Sequence, residues 1–160
     1  MSAITRSWIA FAAVGAGLIH LALAVDAPGL GAVLLAGIGI TEFAWGVLVT
    51  FDERFLAPRV AAIAALAPVA LWVVALVVGI QSFRPVPLGV ATLLELFVAI
   101  IIAISLRRSR EPKPVTTRRY VIGLTIGALV IGGLTAPALG ATSAGQQVIN
   151  PDLFDDGGHH

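Results

Sequence analysis

Residues 88–106 read LGVATLLELFVAIIIAISL, nineteen residues with a single charge, Glu95. Wound as an α-helix, this stretch is about 28 Å long at 1.5 Å per residue, close to the ~30 Å of hydrocarbon in a bilayer. Four more stretches of the same kind flank it: Trp8 to Val25, Leu30 to Phe51, Val60 to Ile80 and Val121 to Leu139. The breaks between them carry Pro, Gly and charge: Asp26 to Gly29, Asp52 to Arg59, Gln81 to Pro87 and Arg107 to Tyr120. The pattern predicts an all-α integral membrane bundle of about five transmembrane helices over residues 1–139. A small, polar, acidic tail follows over residues 140–160.

Composition points the same way. Hydrophobic residues make up 58% of the 160-residue chain and charged residues only 12%, with a mean hydropathy of +0.98. A soluble domain carries about twice that charge, and a chain this short cannot hide so much apolar surface in one core. Lipid is the solvent that fits. The net charge of +1 gives no field for nucleic acid. The absence of cysteine excludes disulfides, thiolate metal sites and cysteine nucleophiles.

Lysine and arginine set the expected orientation, because cytoplasmic loops hold an excess of both. Arg6 precedes the first span, Arg54 and Arg59 separate the second from the third, and Arg107, Arg108, Arg110, Lys113, Arg118 and Arg119 separate the fourth from the fifth. Alternating spans put these nine on one face and only Arg84 on the other. The N-terminus is therefore expected in the cytoplasm and the C-terminus outside, with Asp26, Asp152, Asp155 and Asp156. A competing reading takes Arg6, the first apolar run and Ala22-Leu23-Ala24 as a cleavable signal peptide. The run is long enough to span, so it is taken as an anchor. Trp8 and Tyr120 fall at interfacial positions, and Pro68 lies inside the third span.

Three ionisable side chains lie within spans: His20, Glu42 and Glu95. Such groups are costly in hydrocarbon and usually face the bundle interior. Helical spacing agrees. His20 shares a face with Ala13, Ala16, Gly17 and Ala24; Glu42 with Gly39 and Gly46; Glu95 with Ala91, Thr92, Ala99 and Ala103. Small faces permit close helix packing in membranes. Counting 1.5 Å per residue from the outer ends, His20 is roughly 8 Å deep, Glu95 roughly 11 Å and Glu42 roughly 18 Å. These depths predict that Glu95 pairs with His20 while Glu42 sits deeper. The cluster reads either as packing by hydrogen bonds or as a site that handles protons or a metal.

The chain ends Asp155-Asp156-Gly157-Gly158-His159-His160. Adjacent imidazoles beside carboxylates can take copper or another divalent metal, and His159, His160 and His20 are the candidate ligands. Paired histidines are also common at chain ends. Gly123 and Gly127 form a G-x-x-x-G, read with Gly39 and Gly46 as helix-packing positions and a possible oligomer face. The basic stretch from Arg107 to Arg119 is sufficiently explained as a topology determinant. No phosphate loop, zinc-protease helix, nucleophile elbow or dinucleotide fingerprint occurs.

Several of these residues fall in stretches that resemble a group of small multi-pass membrane proteins of actinobacteria. They are His20-Leu21-Ala22, Glu42-Phe43-Ala44-Trp45, Ala70-Leu71-Trp72 and Pro85-Val86-Pro87-Leu88-Gly89-Val90-Ala91-Thr92-Leu93-Leu94-Glu95-Leu96, with a histidine-bearing C-terminus. The resemblance covers roughly the first four spans. It implies a bacterial plasma-membrane protein and supports the choice of His20 and Glu95, but it carries no activity. The chain departs from the group in having Val25-Asp26-Ala27-Pro28 where a second histidine is usual and Glu42 where glutamine is usual. It also lacks the arginine-containing turn after the third span.

Three functions follow as expectations. The first is an accessory or assembly subunit of a larger membrane complex, with a membrane-protein partner or a second copy of itself. It rests on the small faces, the little mass outside the membrane and the lack of a catalytic motif, and it makes the protein no enzyme. The second is a metal-handling protein, with copper among the candidate metals, using His20, Glu95 and the terminal histidines. The third is a proton-coupled carrier using Glu42 and Glu95.

Overall fold

In the computed structural model of the protein, residues 1–51, 58–77, 84–107 and 116–149 are described. They form six helices and no strand: α1 (Ala3–Ala24), α2 (Leu30–Phe51), α3 (Pro58–Val77), α4 (Pro85–Arg107), α5 (Thr117–Gly140) and α6 (Ser143–Ile149). The first five are long and apolar enough to cross a membrane. Four of them begin ahead of the apolar run, so that Arg6, Arg59, Arg118 and Arg119 lie in first turns. Hydropathy marks only the part that needs lipid, whereas backbone hydrogen bonding continues into the polar boundary. The Ser2 hydroxyl caps α1 by accepting from the Thr5 N–H at 3.2 Å.

α1 is the central helix, packed against α2, α4 and α5. It is buried on several sides at once, through Ile9, Ala12, Ala16, Ile19 and Leu23. α1 and α2 form an antiparallel hairpin whose turn contains Gly29 at φ 52°, a left-handed conformation that disfavours other residues. Along the hairpin the backbones nearly touch. A Cβ on Gly39 would lie 2.7 Å from the Gly17 carbonyl oxygen, and one on Gly46 would lie 2.9 Å from that of Ala10.

Gly123 and Gly127 pack inside the molecule rather than on a free face. Gly123 receives the Ile4 side chain, Gly127 receives the Trp8 ring, and the Trp8 indole donates to the Gly123 carbonyl at 2.8 Å. The α1–α5 contact thus accounts for this motif without an oligomer. Trp8, expected as an interfacial anchor, gives its N–H to a neighbouring helix.

α3 is the outlying helix. It packs on α4 and makes no comparable contact with α2, its neighbour in sequence. Pro68 sits within it. With no N–H there, the Ala64 carbonyl lacks its usual helical donor.

The first residues of the tail are ordered against the bundle. The Thr142 hydroxyl donates to the Leu139 carbonyl at 2.6 Å and accepts from the Gly145 N–H at 3.1 Å, closing the turn into α6. Arg84 donates to the Ala141 carbonyl at 2.8 Å and lies 3.8 Å from Asp26, which accepts from the Ser143 N–H at 3.3 Å. Arg84 thereby clamps the α1–α2 turn and the start of α4 to the tail. Arg84→Ala should loosen α6. The gain in amide hydrogen exchange over Ser143–Ile149 should be about fivefold or less, because an exposed ion pair contributes at most about 1 kcal/mol. Unchanged exchange would remove the clamp.

Candidate functional site

His20, Glu42 and Glu95 come from α1, α2 and α4 and meet in one cluster. His20 is wholly buried. Its Nδ1 lies 2.8 Å from Glu42 Oε2, a hydrogen bond, and its Nε2 lies 3.4 Å from Glu95 Oε1, a charge contact without hydrogen-bond geometry. The Glu42 side chain is 16% exposed and that of Glu95 1%. One imidazole therefore stands between two carboxyl groups, each facing a different ring nitrogen.

The order of pairing differs from the expectation. Glu95, the expected partner of His20, lies beside it at 3.4 Å, but Glu42 is the closer partner at 2.8 Å. Counting along the axes places the Cα atoms, but side chains on a helix lean toward its N-terminus. α1 and α2 run in opposite directions, so His20 leans one way and Glu42 the other, and the gap between their levels closes. The small residues around them allow this approach. Gly17, one turn from His20, meets Gly39 and Phe43 backbone to backbone. Glu95 lies on a face with Ala91 and Ala99, both buried, whereas Ala103 is exposed and takes no part.

Two features escape the sequence reading. The Trp72 ring of α3 stacks on His20, with centroids 6.4 Å apart and planes 20° apart. Only the aromatic character of this position signals it. A cavity of about 590 Å³ opens between α2 and α3, walled by Ile38, Trp45, Ala61, Ala64, Pro68 and Leu71, among others. Among the described residues, Glu42 and Glu95 are its only ionisable lining groups. The alanine-rich run of α3 gives the cavity its width, since short side chains leave the space unfilled.

Chemically, the cluster can accept, pass and release protons. With all three groups deprotonated it carries two negative charges, and two added protons make it neutral. In a low-dielectric interior, states near neutrality are strongly favoured over states with an isolated charge. The imidazole can take a proton on one nitrogen and give one up from the other, linking Glu42 to Glu95. As metal ligands, one imidazole and two carboxylates suit zinc, manganese or iron better than Cu(I), which prefers sulfur donors. The terminal pair His159 and His160 lies outside the described residues. Set against protein-family models, curated proteins and solved structures, the chain finds no match in any of the three.

Proposed function

We propose that the protein is a proton-handling membrane carrier in which Glu42 and Glu95 exchange protons through His20. One observation supports this above others: the two nitrogens of a fully buried imidazole each face a different carboxyl group. A purely packing role needs only one hydrogen-bonded partner, and a second buried carboxyl adds cost without adding a hydrogen bond. The excess of arginine at one end of the bundle favours that end in the cytoplasm and the α6 end outside. A carrier of this size acts with a second copy or a membrane-protein partner, in keeping with the accessory-subunit expectation.

Nuclear magnetic resonance of ¹⁵N-histidine-labelled protein in nanodiscs tests the proposal, with His20→Gln identifying the His20 signals. The ring nitrogens of His20 should change protonation with pH. Glu42→Gln should act first on Nδ1 and Glu95→Gln on Nε2. A ring that holds one protonation state throughout, indifferent to both substitutions, leaves only a packing role.

One observation favours a second reading, a metal centre: a ligand atom from each of His20, Glu42 and Glu95 lies within 4.8 Å of the others. Protein extracted from native membranes without an affinity tag would then hold about one zinc, manganese or iron ion per chain, lost in Glu95→Gln. Metal content equal in both proteins rules this reading out.

A further inference from the structure

We infer that the cavity between α2 and α3 binds a hydrophobic organic cation, which reaches it sideways from the bilayer and is held at Glu42 and Glu95. The inference builds on the proton-handling reading and names the ligand exchanged for protons.

Three features of the site specify the ligand. The first is shape. A cavity of about 590 Å³ is within the range that holds drug-sized molecules. Its walls are almost entirely aliphatic, so the body of the ligand is apolar. It lies where α3 stands away from α2, with Ala13 and Ala16 of α1 and Glu95 and Val98 of α4 at its back, and a gap between two membrane-spanning helices is the route by which a lipid-soluble molecule would enter.

The second feature is charge. If Glu42 and a protonated His20 form a pair, their charges cancel. Glu95 is then the surplus carboxyl. Both of its oxygens are buried and without a hydrogen-bond partner, and its side chain lines the cavity floor. A buried carboxylate in that state calls for a positive charge or a donor, and either a proton or a bound cation supplies it. The other titratable groups near Glu95 are the two just named, His20 from α1 and Glu42 from α2. Among the described residues, α3 offers only Arg59 in its first turn, and α5 only Arg118, Arg119 and Tyr120 in its own. No resident cation therefore competes for this carboxyl from the remaining helices.

The third feature is the aromatic wall. Trp45 lines the cavity one turn from Glu42 on α2. An indole face attracts ammonium-type cations more strongly than it attracts neutral molecules. A neutral lipid tail would use the aliphatic walls but gain nothing from the carboxyls or the indole. An anion would be repelled. The combination selects a bulky, apolar, positively charged molecule. Charge balances simply: one monovalent cation arrives at Glu95 as one proton leaves.

The probe is tetraphenylphosphonium, with neutral triphenylphosphine oxide as its uncharged counterpart. Both are titrated calorimetrically into the full chain in nanodiscs of neutral phosphatidylcholine. Wild type should bind the cation at least about tenfold more tightly than the neutral compound. Glu95→Gln and Glu42→Gln should each weaken cation binding by about tenfold or more while leaving neutral binding unchanged, since glutamine keeps the size and removes the charge. Either variant suffices if the other fails to fold. Heats that vary with the ionisation enthalpy of the buffer would count the protons released, about one per cation. Equal affinity for the charged and neutral compounds overturns the inference, as does full cation affinity in both variants. Cation binding without proton release supports the site and goes against the proton reading. Titration of His20 in a protein that binds no cation does the reverse.

Discussion

Gly17→Leu is expected to separate α1 from α2 and, with them, His20 from Glu42. A Cβ on Gly17 would lie 2.7 Å from the Gly39 carbonyl oxygen and 2.8 Å from the Phe43 nitrogen. Both are backbone atoms of the opposite helix, so no rotamer change relieves the clash. In membranes, helices are held together by close packing and not by exclusion of water, which makes backbone separation especially costly. Overpacking usually costs about 1–3 kcal/mol, and a leucine wedged between two backbones should exceed that range. Gly39→Ala, the milder change, should fall within it. Gly37 and Gly132 provide the contrast, since a Cβ on either meets nothing within 4 Å. Alanine at those two positions should leave stability unchanged or raise it by up to about 1 kcal/mol, the ordinary helix-propensity gain over glycine. Unfolding in mixtures of mild detergent and dodecyl sulfate reads all four. Were Gly17→Leu no worse than Gly132→Ala, the hairpin contact would have no energetic weight.

Much of the fold can be read from the chain because lipid leaves few options. Every backbone polar group inside a membrane must be satisfied, so five apolar runs of helical length become five helices. Gly39 and Gly46 identify a packing face because they share it with Glu42 at helical spacing, and the structure puts both against α1. What a linear reading cannot supply is which helices touch. α3 follows α2 in sequence yet packs on α4, and the resulting gap is the cavity. The same limit applies to Trp72. Its contact with His20 depends on the placement of α3 beside α4, which no spacing within α3 encodes. His20, Glu42 and Glu95 could be singled out as costly groups that need company. Their order of pairing depended on the direction in which side chains lean, and counting residues along an axis leaves that out. The Gly123–Gly127 pair carries a related lesson. A small-residue motif announces close approach but not the partner, here Ile4 and Trp8 of the same chain.

His20→Leu should be the most damaging single substitution in the cluster, while replacing all three members together should cost little or nothing. The imidazole is wholly buried, and its removal leaves Glu42 and Glu95 facing each other with no group between them. Breaking a buried ionic contact by deleting one partner typically costs about 3–5 kcal/mol, because the groups left behind remain out of water and unpaired. Exchanging the whole set for apolar residues of similar volume removes the desolvation penalty along with the attraction. Such exchanges are often neutral, or stabilising by about 1–4 kcal/mol. The triple variant His20→Leu, Glu42→Leu, Glu95→Leu should therefore unfold at the same dodecyl sulfate fraction as wild type or a higher one, and His20→Leu at a much lower one. The double-mutant cycle between His20 and Glu42 should show strong coupling, matching the 2.8 Å contact, and that between His20 and Glu95 a weaker one, matching 3.4 Å. A triple variant as unstable as His20→Leu would mean the cluster is there to hold the helices together. A triple variant as stable as wild type means it is not, the result the proton-handling proposal expects.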